Sequence, residues 1–209
     1  MKDKVSVLQE AVGTGEVDKI NSQFNSELQQ QIDGMLPIGH IYKLGNPGAN
    51  LLSAGLPDFP IELNAERLIK KASKRYGHPF DLSRLKDLPK AIQIPIMVFD
   101  STKKDGSKVI LIELQHKGSN FVVVMRLQYK GRGRGNPQIN DIRSIYPKDN
   151  ISGIIDWINS KDNLLCWADK EKALRFVSVQ STNLIGNGNK TQDSTYNIVN
   201  NFANVKLKS

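Results

Sequence analysis

Cysteine is almost absent from this 209-residue chain, which has only Cys166. One cysteine cannot form an intrachain disulfide, and no group of Cys and His residues has zinc-ligand spacing. Cys166 lies in the apolar run LLCW, which is typical of a small core residue. The sequence therefore excludes a disulfide scaffold and predicts a protein made in a reducing cytoplasm.

Long apolar runs and nucleotide-binding glycine motifs are also missing. No stretch approaches the roughly 18 apolar residues of a membrane span, and the first residues lack the apolar segment of a signal peptide. The glycines between Gly45 and Gly55 match neither GxGxxG nor a glycine-lysine-serine loop, so they indicate turns. We therefore expect no membrane segment and no cofactor.

Positive charge is in excess. The chain has 29 Lys and Arg against 21 Asp and Glu, a net charge of +8. This surplus favours an anionic partner, and nucleic acid is the first candidate for that partner. Since no cluster of Asp and Glu suggests a two-metal nuclease site, metal-independent chemistry is the better expectation.

Composition divides the chain into three parts. Residues 1–36 form an amphipathic helical arm, in which apolar residues recur at spacings of three and four. This arm either lies on the main domain or ends a longer partner-binding segment. Residues 37–180 form the main domain, and residues 181–209 form a polar, Asn-rich, loosely ordered tail.

The main domain has the pattern of an α+β fold. We expect an antiparallel meander of four to five strands, packed by N-terminal helices and followed by C-terminal helices. Because residues 109–112 are all apolar, their strand should be central and covered on both faces. Glu113 is unusual in such a strand, and Arg126 on the next strand is a potential partner. The four main strands are expected at residues 96–99, 109–115, 121–129 and 138–146.

The stretch AERLIKKASKRYGHPFDLS has the residues of a functional surface. Asn64 is suited to cap a basic helix that stops at Gly77, and a second helix should end before Pro89. His78 then lies in the intervening loop, near Lys71 and Lys74. The structural alternative is a surface helix whose charges are simply solvated.

Three groups of residues have the chemistry to bind or cleave RNA. His78 is the best candidate for proton transfer, because the ordinary pKa of histidine lies near neutrality. In the last main strand Ser144 and Tyr146 alternate onto one face, and Lys148 follows. Two hydroxyls beside an ammonium are suited to stabilise charge on a phosphate, although an ordinary strand end has the same pattern. Arg132 and Arg134 lie in the loop GRGRG, which suits either a phosphate backbone or solvent.

Several of these stretches resemble a known family. The runs HIYKLGNPGANLLSAGLPDFPIEL, KASKRYGHPFDLSRLKDLPKAI and INDIRSIYPKDN are similar to the C-terminal domain of phage MuF-type proteins. That domain also occurs in polyvalent proteins of mobile elements, and it more distantly resembles barnase, EndoU, colicin and RelE-like ribonucleases. The resemblance covers residues 37–178. It carries over His78 with the preceding Lys71, and Ser144, Tyr146 and Lys148.

The resemblance implies an endoribonuclease of phage or mobile-element origin. Attack by a ribose 2′-hydroxyl would leave a cyclic phosphate, with RNA as the partner in the cytoplasm of the producing or a target cell. Its other expected partners are an inhibitor or another phage or mobile-element protein. The alternatives are a non-catalytic nucleic-acid-binding or packaging module, and a protein-interaction module built on residues 1–36.

Overall fold

A computed structural model describes residues 4–74, 78–103, 105–130, 137–149, 151–162 and 164–185. Within these residues the chain forms an α+β fold with one mixed sheet of seven strands. The helices are α1 Lys4–Ile32, α2 Ala49–Ser53, α3 Ala65–Ala72, α4 Leu88–Gln93, α5 Ile151–Ile158 and α6 Lys170–Ile185, with a 3₁₀ helix at Leu82–Leu85. The strands are β1 Ile41–Lys43, β2 Ile61–Asn64, β3 Met97–Asp100, β4 Lys108–His116, β5 Ser119–Lys130, β6 Gln138–Pro147 and β7 Leu165–Ala168.

The α+β class is confirmed, but the sheet is larger than expected and not purely antiparallel. Its strand order is β1-β2-β6-β5-β4-β3-β7. The segment β3 to β6 is the predicted antiparallel meander. The prediction missed the parallel pairing of β2 with β6, in which Ile61 lies opposite Asn140. β1 and β2 are three and four residues long, too short to show a clear alternation of apolar and polar residues.

The central strand β4 is covered on both faces, as its apolar run predicted. Val109, Ile110, Leu111 and Ile112 are each at most 8% exposed. One face of the sheet packs against α1 to α4, and the other packs against α5 and α6. Burial of both faces explains why the sequence of this strand contains a continuous apolar run.

The hairpin between β4 and β5 has a two-residue turn. His116 pairs with Ser119, and the turn residues Lys117 and Gly118 both have positive φ, at 51° and 79°. Such turns match the twist of antiparallel strands, and glycine adopts them without steric cost. The turn places the polar end of β4 beside the start of β5.

The second half of α1 lies on the main domain. Phe24 and Leu28 are in the core, at 1% and 2% exposed. The amides of Asn21 and Asn25 donate to the carboxylate of Asp87 at 2.6 and 2.8 Å, and these bonds lower the pKa of Asp87. These contacts attach α1 to the start of α4.

The two helices around His78 end differently from the prediction. Asn64 caps α3 as expected, since its side chain accepts from the backbone N–H of Arg67 at 2.8 Å. However, α3 ends at Ala72, because Ser73 is extended and its hydroxyl donates to the Lys70 carbonyl. The expected end at Gly77 falls outside the described residues. The helix expected to stop before Pro89 is instead the 3₁₀ helix, and α4 contains Pro89 in its first turn, where a missing N–H costs little.

None of the helices within the described part of the chain is long and apolar enough to cross a membrane.

Candidate active site

The loop that carries His78 is held in place by the residues on either side of it. The backbone N–H of Phe80 donates to the Ala72 carbonyl at 3.2 Å, which bonds one of the last carbonyls of α3. The Phe80 ring is buried edge-on against Phe121, with the centroids 5.0 Å apart. Since Phe121 pairs with Pro147, this contact fixes the loop beside the start of β5 and the end of β6.

The structure brings His78 to the end of β6. Its imidazole stacks on the ring of Tyr146, with centroids 5.5 Å apart and planes inclined by 27°. Its Nδ1 atom lies 3.2 Å from a carboxylate oxygen of Asp149. The side chain of His78 is 45% exposed, so the imidazole is both held and accessible.

Sequence reasoning missed Asp149 as a partner of His78. In the sequence this residue is simply a good cap for the following helix, and nothing in its spacing indicates a contact with a loop so distant along the chain. The only available signal was its position in the motif SIYPKDN, beside the residues already selected. A carboxylate on Nδ1 holds the imidazole in one orientation and leaves Nε2 for proton transfer.

Tyr146 connects the site to the core. Its ring is half-buried against the apolar cluster under α5 and α6, and it lies opposite Val122 of β5. Burial raises the pKa of the phenol above its ordinary value. The hydroxyl therefore stays protonated at neutral pH and remains a hydrogen-bond donor.

Ser144 precedes Tyr146 on β6, and Lys148 follows just after the end of that strand. The ammonium of Lys148 lies over the Trp157 ring, 4.8 Å from its centroid, and its backbone N–H donates to the Asn120 carbonyl at 2.8 Å. Ser144 lies opposite Val124, two residues before Tyr146 on the same strand. Neither residue has a described contact with His78, so their catalytic roles remain predictions.

The basic residues are described only in part. Lys71 lies in the last turn of α3, and Lys74 is exposed just beyond its end. Arg132 and Arg134 fall outside the described residues. Arg67 has a structural role, because its guanidinium donates to the buried Asp141 at 2.8 Å and to the Ile142 carbonyl at 2.6 Å.

Within the described ranges, no group of three or more His, Cys, Asp or Glu side chains is placed to hold a metal ion.

One protein family matches a segment of the chain that contains this whole site. The phage MuF C-terminal domain family matches residues 69–175, which is half of the chain. The chain belongs to the phage MuF C-terminal domain family. The matched segment of this MuF C-terminal domain starts within α3 and ends within α6, so it includes His78, Tyr146 and Asp149. No curated protein and no solved structure matches the chain.

Proposed function

We propose that this MuF C-terminal domain cleaves RNA without a metal ion. One observation carries the proposal: an accessible imidazole has Nδ1 against the Asp149 carboxylate and its ring stacked on Tyr146. An imidazole is the side chain most often used for proton transfer in enzymes. A carboxylate that fixes its orientation makes Nε2 a suitable general base.

The proposed reaction is a transesterification followed by release of the product. Nε2 of His78 takes the proton from a ribose 2′-hydroxyl, and that oxygen forms a bond to the adjacent phosphorus. The bond from phosphorus to the 5′-oxygen breaks, which leaves a 2′,3′-cyclic phosphate and a 5′-hydroxyl. The leaving oxygen needs a proton, and Tyr146 or Lys148 would supply it.

The remaining predicted residues would bind the charged substrate. Ser144 and the Tyr146 phenol would donate hydrogen bonds to the phosphate oxygens, where negative charge grows in the transition state. Lys71 and Lys74, with Arg132 and Arg134, would contact the flanking phosphates and raise affinity at low salt. The RNA would be that of the producing cell, or of a cell into which the protein is delivered.

A second function is a non-catalytic nucleic-acid-binding or packaging module. The observation that favours it is the position of Lys148, whose ammonium lies over Trp157 rather than at a described contact with His78. In that case the cations near α3 would bind nucleic acid and His78 would have only a structural role. Such a module should bind RNA in a salt-dependent manner without breaking it.

The test compares wild type with His78→Ala on labelled tRNA, ribosomes and single-stranded DNA in EDTA. We expect RNA products with cyclic-phosphate ends from the wild type and loss of this cleavage in the variant. Arg84→Ala, an exposed change in the same region, is the matched control and should keep wild-type activity. Cleavage that persists in His78→Ala would reject this site, and binding without cleavage would favour the second function.

A further inference from the structure

An open cleft of about 200 Å³ lies beside the candidate active site, between β4, β5 and α6. Ile96 and Phe176 give it apolar surface, and Gln115 and Arg175 provide polar groups. The cleft is smaller than the roughly 300–1,000 Å³ of pockets that hold whole drug-sized ligands. It is therefore suited to a single planar ring rather than to an entire nucleotide.

Hydrogen bonds across the sheet connect this cleft to the His78 site. The N–H of Lys148 donates to the Asn120 carbonyl at 2.8 Å. Asn120 in turn pairs with Gln115, whose side-chain amide donates to the Asn120 side chain at 3.2 Å. Because neighbouring strands lie about 4.8 Å apart, the backbone at Gln115 is about 10 Å across the sheet from that at Lys148. A short single-stranded oligonucleotide can bridge that distance.

The charged groups of the cleft are pre-organised. Lys172 donates to Glu113 at 2.7 Å and to the Ile94 carbonyl at 3.0 Å, and an Arg175 nitrogen lies 3.8 Å from the same carboxylate. Arg126, the partner that the sequence suggested for Glu113, instead lies 3.6 Å from Asp141 and over the Tyr129 ring. The two cations and one carboxylate at the cleft leave one net positive charge, which suits a polyanion.

These groups can recognise a nucleobase. The side chain of Arg175 is 68% exposed, so its planar guanidinium is available to stack on a base. Gln115 is exposed and offers both a donor and an acceptor to a base edge. Phe176 and Ile96 would contact the apolar part of the ring.

We propose that this cleft binds a nucleobase of a single-stranded RNA that lies beyond the two nucleotides flanking the cleaved bond, while the phosphate of that bond lies at His78. The proposal rests on the proposed function for the identity of the ligand. It adds a second contact point for the substrate, so longer RNAs should gain affinity that dinucleotides lack. Arg175 and Gln115 are binding residues in this arrangement and take no part in the chemistry.

The experiment measures kcat/KM for a dinucleotide and a hexanucleotide with wild type, Arg175→Ala and Gln115→Ala. Lys170→Ala is the matched control, because it removes an exposed cation from the same helix outside the cleft. Because the guanidinium of Arg175 would stack on one base, Arg175→Ala should lower kcat/KM for the hexanucleotide about tenfold. Cleavage of the dinucleotide should not change.

The outcomes separate this inference from the proposed function. If Arg175→Ala and Lys170→Ala cleave the hexanucleotide equally well, the cleft is not a subsite, although the proposed function stands. If wild type cleaves neither RNA, the proposed function fails. In that case we measure binding of a non-cleavable 2′-O-methyl hexanucleotide. Weaker binding by Arg175→Ala than by Lys170→Ala supports the cleft as a nucleobase-binding site, and equal binding by the two variants overturns this inference.

Discussion

The imidazole of His78 is stacked on the phenol of Tyr146, with the ring centroids 5.5 Å apart. This separation lies within the range at which aromatic rings attract each other. Tyr146 therefore has two separable contributions: its ring positions His78, and its hydroxyl can donate to a substrate. Variants that remove one contribution and retain the other can distinguish them.

Tyr146→Phe should keep the stack and remove the hydroxyl. We expect the free energy of unfolding to change by less than about 1 kcal/mol, because the ring and its packing remain. RNA cleavage should fall if the phenol donates to the phosphate or the leaving oxygen. Urea unfolding and kcat/KM measure the two effects. An unchanged kcat/KM would show that the hydroxyl takes no part, while Tyr146→Ala should lose both stability and activity.

Asp149→Asn should weaken the orientation of His78. We expect kcat/KM for RNA to fall about tenfold, much less than the roughly 10⁴-fold loss seen when a buried triad carboxylate is changed. The reason is exposure: the Asp149 side chain is 66% exposed, so water partly replaces its contact. Asp156→Asn, an exposed change on α5, is the control. Equal rates for the two variants would mean that Asp149 does not assist His78.

Neutralising Lys71 and Lys74 should make RNA binding less sensitive to salt. If each contacts one phosphate of a single strand, the double change to Gln should reduce the slope of log K against log salt by about 1.4. Binding titrations between low and moderate salt measure this slope. The control is the pair Lys161→Gln and Lys170→Gln, which removes the same charge from exposed positions elsewhere. The same slope for both pairs would exclude the α3 end as a phosphate-binding surface.

Tyr42 should make the fold sensitive to alkali. It is fully buried and donates to Gln31 at 2.6 Å, and burial, helped by the charge of Glu27, raises its pKa far above the ordinary value. Below about pH 10 the Tyr42 hydroxyl is protonated in both the folded and the unfolded chain, so its full contribution to the free energy of unfolding is present. Above that pH only the unfolded chain loses it. The free energy of unfolding should therefore fall by about 1.4 kcal/mol per pH unit.

Tyr42→Phe should remove this part of the alkaline dependence. The variant loses one hydrogen bond, so it should be about 1 kcal/mol less stable at neutral pH. Urea unfolding at several pH values from neutral upward gives the slope, to which Tyr146 also contributes. Tyr129→Phe, at an exposed tyrosine, is the matched control. A Tyr42→Phe variant with the wild-type slope would contradict the assignment.

Local features of the fold were predictable from the sequence. The apolar run in β4, the cap at Asn64 and the turn after His116 each depend on neighbouring residues. The proximity of His78 and Tyr146 was also expected, because the chemistry of the two stretches suggested a common site. The first three features follow from backbone preferences and from the burial of one short segment.

Contacts between distant segments were not predictable in the same way. The partner of Glu113 is Lys172 on α6 rather than Arg126, because Met125 pairs with Lys108 at the start of β4 and Arg126 lies opposite Asp141 of β6. The register between two strands depends on how they pair along their length, and no local pattern determines it. The contact of Asp149 with His78 likewise depends on how a loop packs against the sheet.

The parallel pairing of β2 with β6 has a consequence for how the domain is delimited. The family match begins at residue 69, after β2 ends at Asn64. A fragment cut at the match would leave β6 as an open edge with unpaired backbone groups, and it would lose Phe24 and Tyr42 from the core. Open edges of this kind promote strand exchange and aggregation. The preceding residues should therefore be regarded as part of the same folding unit.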